Sequence, residues 1–308
     1  MHALIIKIKN MKKLVSLFLL TFFFAMNAQE TANRFFYELN YKPKKDSART
    51  EKVMMVLDIT KEKSIYRDYT MIAQDSVLKI QVDAMQKSGV FKDLSKMVTM
   101  PKFSEKVYKF YPDMKVQYVE RISSGFTPMN IGYNDDTKFT WKIHNEKAKI
   151  GSYNAQKATT EFGGRKWNAW FSSDIPLQDG PYKFNGLPGL IVKIEDEGQN
   201  YSWELKGNKK VENFNEVTYL ESISPGGNGG KVQEVSREKF DKTFNDFKKD
   251  PFASTRPLLK PEMLSQKMPG SDTTIGDMVK QQEKMLKDFY GANNNPIEIP
   301  APPAKGKK

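Results

Sequence analysis

The sequence predicts a mainly β protein of the α+β class: a curved antiparallel sheet or half-barrel with a few packed helices. Three observations lead there. Aromatic residues make up 12% of the 308 residues, as 20 Phe, 13 Tyr and 4 Trp, and large rings sit well on a pleated, half-buried surface. Apolar and polar residues alternate in several short runs, the period of a strand with one buried face. The later runs are separated by short polar turns with no long helical pattern between them, as in an antiparallel meander. An apolar fraction of 39% over this length is enough for a core.

Taken in order, residues 1–28 read as a secretory signal peptide. Met11, Lys12 and Lys13 form a positive start, residues 14–25 an almost unbroken apolar run, and cleavage is expected after Ala28. The run is about 12 residues where a bilayer span needs about 20, so no transmembrane span is expected after cleavage. The expected location is exported, in the periplasm or outside the cell. Cleavage removes Lys7, Lys9, Lys12 and Lys13 and no acid, lowering the formal charge of +12 by four. The remaining Lys residues are interleaved with acids and read as a solvated surface, and no nucleic-acid partner is expected.

An antiparallel β domain is expected over residues 29–223. Its first strand carries Phe35, Phe36, Tyr37, Leu39 and Tyr41. A hairpin follows, 52–59 with 64–72, in which Val53, Met55, Leu57 and Ile59 share a face. Residues 75–100 predict one or two helical pieces. A second hairpin pairs 103–111 with 115–122 about Pro112, Asp113 and Met114. Residues 137–143 alternate most cleanly, with Phe139, Trp141 and Ile143 on one face and Lys138, Thr140 and Lys142 on the other. A turn is expected at 145–147. Strands then follow at 150–160, at 165–171 with Trp167, Ala169 and Phe171 on one face, at 190–194 and at 201–205. The aromatic strand residues singled out are Trp141, Trp167, Trp170 and Trp203.

Residues 224–290 predict a glycine linker plus two amphipathic helices. The linker is Pro225-Gly226-Gly227-Asn228-Gly229-Gly230. Ser236 is placed to cap a helix bearing Phe240, Phe244 and Phe247 on one face, stopped by Pro251. A second helix runs over 274–290, with Ile275, Met278, Val279, Met285, Leu286 and Phe289 on one stripe. Residues 291–308, rich in Pro and Lys, predict a disordered tail.

The chemistry is sparse. There is no Cys, hence no disulfide, thiolate metal site or Cys nucleophile. Beyond residue 28 there is one His, His144, too few for a zinc site of the usual type. The acidic pairs in 135–136 and 195–197 lack the spacing of a calcium loop and read as solvated turns. No Gly-rich phosphate loop and no G-x-S-x-G elbow occurs. No metal, no cofactor and no catalytic residue is assigned.

The hexapeptide Gly186, Leu187, Pro188, Gly189, Leu190, Ile191 is the most specific motif. Its Pro presets a turn and its Gly residues permit positive φ or close backbone approach. It reads as structural, carrying the chain over the sheet edge with Leu187 in the core; the alternative is a ligand or partner loop. With Gly163, Gly164, Arg165, Trp167, Trp170, Pro176, Gly180 and Pro181 before it, this stretch resembles the GLPGLI family, exported proteins typical of Bacteroidetes with no established activity. The arrangement is also similar to the sheet of periplasmic lipoprotein carriers. The resulting expectation is an exported cell-envelope protein of unknown activity, binding a hydrophobic ligand or an outer-membrane protein without catalysis. The alternatives are a secreted hydrolase with an unrecognised site and an accessory scaffold subunit.

Overall fold

A computed structural model describes residues 30–90, 98–223, 231–268 and 272–299. The expected signal peptide, the expected glycine linker and the end of the tail lie outside the described residues. The protein is mostly β: twelve strands form one open, mixed sheet. The strands are β1 (Ala32–Tyr41), β2 (Glu51–Ile59), β3 (Lys63–Asp68), β4 (Lys106–Phe110), β5 (Lys115–Ser124), β6 (Thr127–Asp135), β7 (Lys142–Ile150), β8 (Tyr153–Phe162), β9 (Arg165–Ser172), β10 (Leu190–Asp196), β11 (Tyr201–Val211) and β12 (Val232–Glu234). Their spatial order is β12-β6-β5-β4-β3-β2-β1-β11-β10-β9-β8-β7. Two antiparallel meanders, β1 to β6 and β7 to β11, are thus joined side by side through the β1–β11 pair. Only β12 runs parallel to its neighbour, placing Val232 opposite Asn130 of β6.

Side-chain alternation decides which face is buried. Phe35, Tyr37, Leu39 and Tyr41 of β1, Val53, Met55, Leu57 and Ile59 of β2, and Tyr201, Trp203 and Leu205 of β11 all enter one apolar cluster. Register locks them together: Leu39 lies opposite Val53 on one side and Trp203 on the other. The opposite face carries a buried ion cluster. Arg34 Nε donates to Asp58 Oδ1 at 2.5 Å and Arg67 Nη2 to Asp58 Oδ2 at 3.1 Å.

Among the described residues, five α-helices accompany the sheet: α1 (Thr70–Ser88), α2 (Tyr219–Ile223), α3 (Arg237–Lys249), α4 (Pro261–Leu264) and α5 (Ile275–Gly291). Gly89 closes α1 in the left-handed conformation, at φ 67°. Ser236 caps α3 through its side chain, accepting from the Lys239 N–H. Thr274 and Asp277 form a reciprocal capping box on α5. Phe240 and Phe244 of α3 pack on Ile122, Ile131 and Tyr133 of β5 and β6. The helical segment thus contacts the same sheet through α3 and β12.

Several local expectations are corrected. The well-alternating stretch 137–143 is mostly not strand: β7 begins at Lys142, and Trp141 precedes it. Phe139 and Trp141 pack on the core, yet Ile143 is 48% exposed, because β7 is an edge strand with one neighbour. The turn expected at 145–147 is a register shift inside β7 between Ile143 and Lys147. Strand β6 went unpredicted, since its burial is confined to Ile131, Gly132 and Tyr133. The tail was expected to be disordered from 291, but α5 includes Gly291 and residues 292–299 form a strap on the core.

Candidate functional site

The hexapeptide and the loop before it form an interior latch. Alternation places Lys109 of β4 on the apolar face with Val107, and its side chain is fully buried. The Lys109 ammonium meets Asp179 at 2.6 Å and donates to the carbonyls of Gly180 (2.6 Å) and Tyr182 (3.0 Å). Burial lowers the Lys109 pKa, and Asp179 opposes the shift. Tyr111 donates to the second Asp179 oxygen at 2.6 Å. Phe184 then sits fully buried, 4.9 Å from the Trp167 ring and 5.3 Å from Phe139.

Within the hexapeptide, Leu187, Leu190 and Ile191 are buried, while Gly186 and Pro188 reach solvent. The Gly189 backbone passes so close to β9 that a Cβ there would stand 2.3 Å from the Ser172 carbonyl oxygen. Trp167 and Trp203 are buried core residues, with indole N–H groups donating to the Phe162 carbonyl (2.9 Å) and the Tyr66 hydroxyl (2.7 Å). Trp141 donates to the Asn185 carbonyl at 2.8 Å. Trp170 is half-buried beneath Lys157.

The strap docks on the glycine turn between β8 and β9. Arg165 donates to the carbonyls of Ile297 (3.0 Å) and Pro296 (2.9 Å) and to Asn295 Oδ1 (2.8 Å), and pairs with Asp196 at 3.1 Å. Ile299 N–H donates to the Gly163 carbonyl at 2.8 Å. Gly163 has φ 58°, and a Cβ on it would come within 3.0 Å of Glu298, so the turn is shaped to seat the strap. Glu298 accepts from Lys183, which also meets Asp135 at 2.5 Å. Asp135 and Asp196, expected in solvated turns, are thus both members of ion pairs, and Asp196 is buried.

Strap, α3, α5 and the sheet together line a cavity of about 760 Å³ that is open to solvent on one side. Its floor is residues 102–105 just before β4 together with β5 and β6, including Tyr118 and Tyr133 directly opposite one another. Phe240 and Phe244 of α3 and Phe289 and Tyr290 of α5 form much of the wall. None of the four Trp and no hexapeptide residue lines it.

Two buried glutamates face this cavity, Glu105 and Glu120. Lys106 pairs with Val119, so the register carried one residue outward puts Glu105 opposite Glu120. Carried outward likewise from Tyr66↔Val107, it brings Asp68 opposite Glu105. Three acids therefore fall in one row, Asp68 at the end of β3, Glu105 just before β4 and Glu120 within β5, where like charges oppose each other. Asp68 accepts backbone N–H groups of Thr70 (2.8 Å), Lys102 (2.8 Å) and Phe103 (3.2 Å). Glu120 Oε1 accepts from the Tyr118 hydroxyl at 3.0 Å, while its Oε2 is buried with no hydrogen-bond partner.

Burial pushes both glutamates well above the ordinary carboxyl range. For Glu105 the neighbouring Glu120 adds to the rise; for Glu120, Ser104, Tyr118 and Lys248 hold it back. Two adjacent carboxyls that retain protons toward neutral pH can donate as well as accept hydrogen bonds, a property that marks functional sites more often than cores. Among the described residues, no three His, Cys, Asp or Glu side chains are placed to hold one metal ion. Sequence reasoning passed over Glu105 and Glu120, yet a signal existed: each falls in phase with the apolar face of its strand, beside Val107 and beside Tyr118 and Ile122.

Residues 163–193 match a family model described as a protein of unknown function (Porph_ging). That segment is the strap seat, β9, the latch loop, the hexapeptide and the first part of β10, so the match coincides with a buried loop structure. It supports a likeness to a family of unknown function and does not carry the GLPGLI name. No curated protein matches the chain. Among solved structures, PNGF-II in the C2 space group is similar at a TM-score of 0.47 and 16% identity, over 69% of this chain and 32% of that one. PNGF-II in the P21 space group gives 0.46 and 16%, over 70% and 33%. This chain spans about a third of the length of either. No described helix is long and apolar enough to cross a membrane.

Proposed function

We propose that the protein is an exported cell-envelope binder that takes a small ligand into the cavity between β5, β6, α3, α5 and the strap. The observation that carries this reading is the buried, unpartnered Glu120 Oε2 facing a space large enough for a drug-sized molecule. A buried acceptor left unmade costs about 1–3 kcal/mol, and a bound ligand can recover that cost. The ligand is amphipathic: a pure hydrocarbon would satisfy the rings and leave both glutamates facing apolar surface. Export rests on the leader-like residues 11–28.

The test is native mass spectrometry of the protein purified from its own host, followed by release of bound small molecules on denaturation. A stoichiometric amphipathic compound, lost on a cavity-filling Ser104→Trp substitution, is the expected result. A protein that is empty in every preparation, with a melting temperature that no small molecule raises, refutes the reading.

A second reading is hydrolysis, favoured by the protonated carboxyl pair, since a carboxylic acid that keeps its proton near neutral pH is suited to general-acid catalysis. It requires turnover that both Glu105→Gln and Glu120→Gln abolish. Turnover retained in either variant excludes that residue from the chemistry.

A further inference from the structure

Six acids are buried among the described residues: Asp58, Asp68, Glu105, Glu120, Asp179 and Asp196. Three of them have a basic partner. Asp58 lies between Arg34 and Arg67, Asp179 meets Lys109, and Asp196 meets Arg165. The three without a Lys or Arg inside ion-pair distance are Asp68, Glu105 and Glu120, the three that share one row on the sheet. Asp68 is compensated by backbone N–H groups. Glu105 has only its own backbone N–H and Glu120 only hydroxyl donors, too little to offset their burial, and these two face the cavity.

Of the other charges around the cavity, all but Lys248 are engaged in ion pairs. From the β3–β4 connection, Lys102 is tied to Glu51 at 3.0 Å. From α3, Arg237 pairs with Asp241 at 3.1 Å and with Glu298 of the strap at 3.5 Å. Lys183 is held by Asp135 and Glu298. Lys248 of α3 lies over the Phe244 ring at 4.8 Å, without a carboxylate partner. The negative site left open is the glutamate pair; the titratable groups that act on it are Asp68 and the hydroxyls of Tyr66, Tyr118, Tyr201 and Tyr290, with Lys183 and Lys248.

The rings of this region are already used to hold cations. The Lys183 ammonium lies 5.0 Å from the Tyr118 ring centre and 5.2 Å from Tyr133, and the Arg237 guanidinium 4.4 Å from Tyr133. Desolvated cation–ring contacts of this kind contribute measurably to binding. Phe103, Phe289 and Tyr290 offer further ring surface along the same cavity.

We infer that the ligand is a small organic cation, an amine or ammonium group on an apolar body, with its positive end at Glu105 and Glu120 and its body against the rings of α3 and α5. This inference rests on the ligand-binding reading of the cavity. The ammonium supplies the countercharge that Asp58, Asp179 and Asp196 receive from Lys or Arg. On binding, a protonated carboxyl releases its proton to solvent and becomes the carboxylate partner of the ammonium, so uptake of the cation is coupled to proton release.

The experiment titrates the full chain with three probes of one size: phenethylammonium chloride, 2-phenylethanol and sodium phenylacetate. Binding is followed by ligand-observed NMR and calorimetry. The ammonium is expected to bind at least about tenfold more tightly than the alcohol, a difference of about 1.4 kcal/mol, with the carboxylate weakest. Its affinity should rise with pH through the titration of the pair, and the alcohol's should not. Glu105→Gln and Glu120→Gln, neutral and nearly isosteric, should each remove the ammonium's advantage and leave the alcohol unchanged. Lys248→Ala should strengthen ammonium binding by removing a competing charge. If the alcohol or the carboxylate binds as well as the ammonium, the cation inference fails while the cavity remains a binding site. If calcium chloride displaces the ammonium from the cavity, the site is one for a metal ion and the inference also fails. If none of the three probes binds, or binding ignores both Gln variants, the cavity reading fails with it.

Discussion

Replacing Glu105 by Gln probes the electrostatics of the acid row directly. A Glu in the unfolded chain ionises near 4.5, whereas burial holds the protons on Glu105 and Glu120 to higher pH in the fold. Between those limits the folded state carries more protons than the unfolded state, so stability falls as pH rises. Each retained proton contributes a slope of about 1.4 kcal/mol per pH unit, and two contribute at most about twice that. Gln preserves the side-chain shape and has no proton to retain. Glu120 keeps its own retention in the variant, because burial and not Glu105 raises it. Relative to the variant, the wild type should therefore lose about 1.4 kcal/mol per pH unit above pH 4.5, levelling off once Glu105 ionises. Urea unfolding followed by Trp fluorescence at about pH 5, 6 and 7 measures this. The difference between the two proteins cancels every titration they share. A stability difference that is flat across this range, or that narrows as pH rises, would refute the assignment of retained protons to this pair.

Three further outcomes follow from the latch and the strap. Gly189→Ala should destabilise by more than about 3 kcal/mol, read as a large drop in melting temperature, because its Cβ would overlap the Ser172 backbone; a change within about 0.5 kcal/mol would show that the two segments can separate freely. Lys109→Met should cost about 3–5 kcal/mol by leaving Asp179 charged and buried, and Asp179→Leu added to it should recover much of the loss; a double variant no better than the single one would count against the ion pair as the origin. Ile297→Asp should release the strap, and limited proteolysis should then cut within residues 292–299, which the wild type protects; equal protection in both proteins would mean that the strap is held by its backbone contacts alone.

The strands were legible where alternation coincides with two-sided pairing. β1, β2, β9, β10 and β11 are central, and each presents a continuous apolar face to one cluster. Alternation misled at 137–143 because the pattern there belongs to the sheet's edge, where Ile143 has no second neighbour to cover it. The helices α3 and α5 were legible from their caps and apolar stripes. The strap was not, because its anchoring is polar and distant: Arg165 reaches residues 295–297, more than a hundred positions away.

The sequence by itself determined the class of the fold, the two amphipathic helices and the placing of Leu187, Trp167 and Trp203 inside, since each follows from local periodicity and the cost of exposing apolar surface. It also drew attention to 163–193, whose glycines meet steric demands that any chain with this turn must satisfy. Only the tertiary structure decided that this segment is a latch and a seat for the C-terminal strap, and that the cavity lies elsewhere. Glu105 and Glu120 are fifteen positions apart, and as letters they are two acids among the 37. Strand register alone sets them opposite one another, and only the helices and strap closing over them remove the water that would have kept them ordinary.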